Sequence, residues 1–81
     1  MQNLPEALRR DQIMKKGLSL VRRQGFAAIT CRAVAAECGC CYRTVQRYYA
    51  NRASLSRAII DFAEGIGAAD VVEEGQRLGL K

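Results

Sequence analysis

The sequence of 81 residues contains no histidine, and its one proline is Pro5. Without histidine the chain lacks the commonest general base, the commonest metal ligand and the usual activator of a catalytic cysteine. It also lacks paired carboxylates at a useful spacing and any glycine-rich loop of the kind that binds phosphates. We therefore predict that the protein is not an enzyme and uses no cofactor.

Long apolar runs are missing as well. No segment approaches the roughly 20 apolar residues that a membrane span requires, and the first residues, MQNLPEALRR, lack the apolar part of a secretion signal. We therefore predict a cytoplasmic protein without a membrane partner. In a reducing compartment its four cysteines would be free thiols rather than disulfides.

Positive charge is present in excess, and it is unevenly placed. Residues 1–52 carry ten lysines and arginines against three acidic residues, a net charge of +7. Residues 53–81 carry three basic and five acidic residues, a net charge of −2. A basic body with a mildly acidic tail favours a polyanionic partner at the N-terminal end, and the alternative is a basic surface that only contacts solvent.

The spacing of the apolar residues predicts helices along most of the chain and no strand. A long first helix should begin near Pro5, with Asn3 as its cap, and should end before Gly25. Its apolar face comprises Ile13, Met14, Gly17, Leu18 and Val21. A short second helix should follow at Cys31–Cys38, capped by Thr30.

The third helix should start at Cys41 or Tyr42 and run to about Tyr49, and Asn51 can cap a fourth helix. The apolar stripe of this fourth helix comprises Leu55, Ala58, Ile59, Phe62 and Ile66. Residues 67–81 form either a short helix that docks on a partner subunit or a loose tail. The predicted fold is a small all-α bundle of four or five helices.

Two short helices joined by a glycine turn match the helix-turn-helix of DNA-binding proteins. In this motif Ala35 must be small because the helices cross there, and Gly39 must adopt a positive φ. The five positions that point into the shared core are occupied by Val34, Cys38, Cys40, Val45 and Tyr48. All of these residues suit their positions, which favours a helix-turn-helix.

The remaining polar residues of the third helix should point outward, and they are Cys41, Tyr42, Arg43, Thr44, Gln46 and Arg47. Arginine can bind guanine through two hydrogen bonds in the major groove, and glutamine can bind adenine in the same way. Threonine and tyrosine hydroxyls suit phosphates. We predict a recognition helix, and the alternative is an exposed polar face that binds nothing.

From about Ile13 to Ile60 the chain resembles the DNA-binding domain of the tetracycline-repressor-like (TetR) regulators. The resemblance rests on four pieces in the family's order and without gaps: QGF, then IT with CRAVA, then CGCCYRTVQRYY, then NRASL. It implies a homeodomain-like helix-turn-helix of the TetR N-terminal type. The family's large ligand-binding domain has no counterpart in the roughly 20 residues after the fourth helix, so we expect no small-molecule ligand.

By this resemblance Thr30 and Thr44 would contact phosphates, and Tyr42 and Arg43 would lie at the groove-facing start of the recognition helix. Arg52 would contact a backbone phosphate from the start of the fourth helix. Departures from the family's pattern are Lys16 for alanine, Cys40 for valine, Cys41 for a serine cap and Gln46 for a phosphate-binding tyrosine. Because cysteine is a poorer cap than serine, the third helix should fray or start late.

The cysteines do not match a metal site. A zinc site would need all four sulfurs about 2.3 Å from one ion, and the spacings of these four residues fit that arrangement badly. Cys38 and Cys40 more simply fill core positions as small hydrophobes. Cys41, at a helix start beside Arg43, is a candidate redox-sensitive thiol, with a serine-like cap as the alternative.

The sequence therefore predicts a double-stranded DNA-binding transcriptional regulator, a repressor rather than an activator, that acts as a homodimer on a palindromic operator. Residues 1–66 would form the helix-turn-helix domain and residues 67–81 a tail or helix that contributes to the dimer. The predicted DNA-binding residues are Thr30, Arg32, Cys41, Tyr42, Arg43, Thr44, Gln46, Arg47, Tyr48 and Arg52. Two alternatives remain: a mobile-element protein for DNA packaging, partition or recombination, and a basic protein-interaction module.

Overall fold

The computed structural model describes residues 5–80, and the protein is helical along this range, with no strand in it. Its five α-helices are α1 (Glu6–Gln24), α2 (Cys31–Cys38), α3 (Tyr42–Tyr48), α4 (Arg52–Ile66) and α5 (Ala69–Arg77), and a 3₁₀ turn, Phe26–Ala28, follows α1. The predicted small all-α bundle is confirmed. Among the described residues no helix has both the length and the apolar character needed to cross a membrane.

The two predicted side-chain caps of α2 and α4 are both formed. The Thr30 hydroxyl accepts a hydrogen bond of 3.0 Å from the backbone N–H of Ala33. Asn51 Oδ1 accepts one of 2.9 Å from the backbone N–H of Ser54. Each bond satisfies an N–H that the helix itself leaves unpaired, and this fixes where the helix begins.

The start of α1 differs slightly from the prediction. Pro5 occupies the position immediately before the helix rather than a place in its first turn, and no side chain caps it. The predicted cap at Asn3 lies outside the described residues. At its other end α1 stops before Gly25, as predicted.

The core draws on all five helices, the 3₁₀ turn and the segment after it. Its largest fully buried side chains are Ile13, Ile29, Val34, Val45, Leu55, Ile59 and Ile60. Full burial of an aliphatic side chain of this size stabilises the fold by roughly 1.5–3 kcal/mol. Val45 is the one buried residue of α3, so this short helix packs against the rest of the protein along a single side.

Two glycines allow α4 to approach its neighbours closely. A Cβ atom at Gly17 of α1 would lie 2.6 Å from Ile59 Cδ1, and one at Gly75 of α5 would lie 2.5 Å from Ile60 Cδ1. Both isoleucines are fully buried on α4. α4 is therefore the central helix, packed on α1 through one glycine and on α5 through the other.

α5 packs against α4 and α1 of its own chain. The segment after α4 is therefore not a loose tail, and it contacts its own subunit. Val71 is buried, and the Arg22 guanidinium of α1 lies 3.4 Å from Asp70 Oδ1 at the start of α5. Arg22 holds the pKa of the Asp70 carboxyl below its usual value by donating this hydrogen bond.

The apolar stripe predicted for the fourth helix is partly wrong. Ile66 is 55% exposed, and Ala58 and Phe62 are only half-buried. Ile60, which was outside the predicted stripe, is fully buried instead. The reason is that the chain reverses at Gly67, so that α5 covers the side of α4 that carries Ile60.

Candidate nucleic-acid interface

The connection between α2 and α3 is built on Gly39, which has φ 69° and ψ 32°. This left-handed conformation strains any residue that carries a side chain. The N–H of Gly39 bonds the Ala36 carbonyl at 3.3 Å, and the N–H of Cys40 bonds the Ala35 carbonyl at 3.0 Å. This pair of bonds is the Schellman helix ending. It lets α3 begin after a connection of three residues, which is the compact turn that a helix-turn-helix requires.

The residues predicted to hold the two helices together do contact the core. Val34 and Val45 are fully buried and Ala35 is 2% exposed, as their positions require. The other three predicted core residues, Cys38, Cys40 and Tyr48, are half-buried and pack against the edge of the core. α2 and α3 therefore each pack against the hydrophobic core through one side.

The opposite side of α3 is polar and open to solvent. Arg43, Gln46 and Arg47 are exposed, and Arg43 and Arg47 lie four residues apart, which places them side by side on the helix. Neither arginine forms an ion pair with another described residue. Tyr42 and Thr44, which we predicted to point outward, are half-buried because the start of α3 packs beside α2.

Two arginines stack on tyrosines at the ends of α3. The Arg32 guanidinium carbon lies 4.2 Å from the centre of the Tyr42 ring, and that of Arg10 lies 5.6 Å from the centre of the Tyr48 ring. Such cation–π contacts contribute about 0.5–1 kcal/mol at exposed sites. They link α3 to α2 at one end and to α1 at the other. Arg10 was absent from the predicted interface, since its distance of 38 positions from Tyr48 leaves no signal in the spacing.

The helix starts differ in how they are capped. Cys41 occupies the cap position of α3, is exposed and makes no side-chain capping bond, and the helix begins at Tyr42, the later of the two predicted starts. The hydroxyl of Thr30 is exposed but is already engaged as the cap of α2. A phosphate at Thr30 would therefore have to share that hydroxyl with the helix.

Arg52 has a partner that the sequence did not indicate. Its Nη2 donates a hydrogen bond of 3.0 Å to the carbonyl of Ala27 in the 3₁₀ turn. This bond fastens the start of α4 to the segment that follows α1. A guanidinium has five N–H donors, so Arg52, which is exposed, retains donors that can reach a phosphate.

The basic residues fall into two sets according to their partners. Three form ion pairs: Lys15 with Asp11 at 3.0 Å, Arg22 with Asp70, and Arg23 with Glu37. Those without a carboxylate partner in residues 5–80 are Arg9, Arg10, Lys16, Arg32, Arg43, Arg47, Arg52, Arg57 and Arg77. The last two lie on α4 and α5, which together carry five acidic residues against three basic ones, so the uncompensated charge is concentrated on α1, α2, α3 and the start of α4.

All four cysteines are free thiols. Burial, and secondly the neighbouring Cys40, raises the pKa of the Cys38 thiol to about 11, and burial also raises the pKa of Cys31. These two side chains are therefore neutral and act as small packing groups near pH 7. Over the described part of the chain, no group of three or more candidate ligands from His, Cys, Asp and Glu is placed to hold a metal ion.

One open, mainly apolar groove of about 500 Å³ lies next to Arg52. It is lined by Phe26, Ala27, Arg52, Ala53, Ser56, Leu78 and Leu80. Leu78 is 50% exposed at its edge, and the groove has no titratable group besides Arg52 with which to orient a ligand.

Comparison with known proteins gives no further identification. No protein-family model matches the chain, and no curated protein matches it.

Proposed function

We propose that this protein is a sequence-specific, double-stranded DNA-binding regulator of transcription of the tetracycline-repressor-like type. It acts as a repressor by occluding a promoter, because occlusion needs no additional contact surface. The proposed activity is binding alone, without catalysis.

The observation that carries this proposal is the open side of α3. α3 packs on the core through Val45 and exposes Arg43, Gln46 and Arg47 to solvent. Neither arginine is neutralised by another described residue. Arginine paired with guanine and glutamine paired with adenine discriminate against the wrong base by about 1–3 kcal/mol each. These three side chains would set the sequence preference.

Residues around α3 would bind the phosphates. Arg32 stacks on Tyr42 within the candidate interface and keeps its guanidinium at the side of the recognition helix. Arg52 and Thr30 lie at the starts of α4 and α2, where backbone N–H groups also favour an anion. Such contacts fix the register on the duplex and make the affinity depend on salt.

We place two copies of the chain on a palindromic site. α3 has only seven residues, so one copy reads few base pairs. Helix-turn-helix proteins commonly pair two half-sites about 34–36 Å apart. The dimer contact would use the ends of α4 and α5, where Ile66 and Leu78 are half or more exposed.

Selection of bound sequences from a random pool of duplexes tests the proposal. We expect an enriched palindrome, and we expect Arg43→Gln to lose the preference at one base pair of each half-site. Arg77→Gln is the matched control, because it removes the same charge from an exposed position on α5. A pool that stays random after selection, or an equal effect of the two variants, would contradict the proposal.

A further inference from the structure

α1 lies outside the helix-turn-helix and carries six cations, of which Arg9 and Lys16 lie on one side of the helix without a carboxylate partner in the described residues. These two are separated by seven residues, or nearly two helical turns, so their side chains leave the same side of α1 about 10 Å apart. Lys16 is exposed and Arg9 is half-buried. They therefore form a short basic stripe along one side of the helix.

This stripe lies beside the end of α2. Arg23, seven residues after Lys16 on the same side of α1, pairs with Glu37 near the end of α2. In agreement with this placement, the charges of Arg9 and Lys16 oppose the rise in pKa that burial causes at the Cys38 thiol. Cys38 is the last residue of α2, and α3 begins four residues later at Tyr42. Four residues span at most about 14 Å. The stripe consequently flanks the start of the candidate recognition helix.

Neither charge of the stripe is neutralised by a carboxylate within residues 5–80. Arg9 Nη1 donates a hydrogen bond of 2.7 Å to Gln12 Oε1, which orients the guanidinium but leaves its charge uncompensated. Lys16 has no carboxylate partner among the described residues. The adjacent Lys15 differs, since its ammonium lies 3.0 Å from Asp11 Oδ2. The helix thus offers a matched pair of neighbouring lysines, one free and one paired.

We propose that Arg9 and Lys16 form a second phosphate-binding surface, so that the nucleic acid contacts α1 as well as α3. This inference rests on the proposed DNA-binding function and extends it. The partner is the sugar-phosphate backbone of the bound duplex, because two uncompensated cations about 10 Å apart, on a helix outside the helix-turn-helix, suit two nearby phosphates. Arg9 and Lys16 would add affinity and register and leave sequence preference to α3.

The salt dependence of binding measures such contacts directly. Each phosphate that a cation neutralises contributes about 0.9 to the slope of log K against log salt concentration. Fluorescence anisotropy with a labelled duplex of random sequence, from about 50 to 200 mM salt, gives this slope. We expect Arg9→Gln/Lys16→Gln to flatten it by about 1.8. Lys15→Gln removes an equal charge next to Lys16 and should change the slope much less.

Two further variants test whether the change in slope comes from the charges of Arg9 and Lys16. Arg9→Lys/Lys16→Arg keeps both charges and should retain the wild-type slope. Lys16→Gln alone changes an exposed side chain and should flatten the slope by about 0.9 even if the double variant folds poorly. Equal slopes for Lys16→Gln and Lys15→Gln would overturn the second surface.

The same titration distinguishes a failure of this inference from a failure of the proposed DNA-binding function. If Arg43→Gln/Arg47→Gln flattens the slope while Arg9→Gln/Lys16→Gln does not, the duplex is bound through α3 alone and the role of α1 is wrong. If the wild-type protein does not bind the duplex at any salt concentration, both proposals are wrong.

Discussion

Replacing Gly75 with alanine should destabilise the protein, although alanine is the better helix former. The new Cβ would lie 2.5 Å from Cδ1 and 2.8 Å from Cγ1 of Ile60, whereas carbon atoms in contact prefer about 3.5–4.0 Å. Ile60 is fully buried on α4, so its side chain is surrounded by protein. Overpacking of this kind costs about 1–3 kcal/mol. The gain in helix propensity, up to about 1 kcal/mol, offsets part of this cost.

Gly65 provides the matched control. It also lies in the last turn of its helix, α4, but a Cβ there would meet nothing within 4 Å. Gly65→Ala should therefore stabilise the protein by up to about 1 kcal/mol. Because the propensity gain is common to both variants, the difference between their free energies of unfolding isolates the clash, and we expect it to be about 1–3 kcal/mol.

Urea unfolding followed by circular dichroism measures both free energies. A double-mutant cycle adds a second test: Ile60→Val removes Cδ1, the nearer of the two atoms, so it should cost less in the Gly75→Ala background than alone. If Gly75→Ala proved as stable as Gly65→Ala, the close packing of α5 on α4 would be refuted. Affinity for a single half-site should stay unchanged in both variants, since neither glycine belongs to the candidate nucleic-acid interface.

Three further predictions concern the cysteines and the dimer. Cys41→Ser supplies the side-chain cap that α3 lacks, so urea unfolding should show a gain of about 0.5–1 kcal/mol, and an unchanged stability would mean that the start of α3 is not limited by its cap. The pKa of Cys38 is raised from 9.0 to about 11 in the folded state. The contribution of this shift to the free energy of unfolding is therefore complete below pH 9.0 and is lost as the pH rises through about 11. Urea unfolding under reductant should accordingly show less loss of stability between these pH values in Cys38→Ala than in wild type, and parallel curves would contradict the assignment. Ile66→Glu should shift the protein to a monomer in sedimentation velocity, and a persistent dimer would place the contact elsewhere.

Local signals in the sequence predicted most helix boundaries. The side chains of Thr30 and Asn51 accept hydrogen bonds from N–H groups three residues ahead, so the start of each helix is encoded within four residues. Gly39 likewise ends α2 through its own φ and bonds to the preceding turn. Because these interactions are local, the predicted span of α2 and the observed one agree.

The sequence could not predict features that depend on distant parts of the chain. Ile66 continues a helical spacing, but only the path of α5 decides that Ile60 is covered and Ile66 is not. In the sequence Gly75 resembles a helix breaker, but in the fold its lack of a side chain leaves room for the Ile60 side chain. Arg52 bonds a carbonyl 25 positions earlier in the chain, and no local pattern indicates this contact.

The candidate interface shows the same division. The exposure of Arg43, Gln46 and Arg47 follows from helical periodicity around Val45, and the sequence was sufficient to predict it. The stacking of Arg10 on Tyr48 follows from the way α1 packs in three dimensions. Periodicity therefore predicted which side of α3 is exposed but not the contact that α1 makes with α3.

The most direct test of the account is a titration of the purified protein with duplex DNA at increasing salt concentration. Arg32, Arg43, Arg47 and Arg52 are exposed and lack carboxylate partners among the described residues. If each neutralises one phosphate, log K should fall with log salt concentration with a slope of about −3.6 per bound subunit, steeper still if α1 contributes. No binding at about 50 mM salt, or an affinity independent of salt, would contradict DNA binding by this protein.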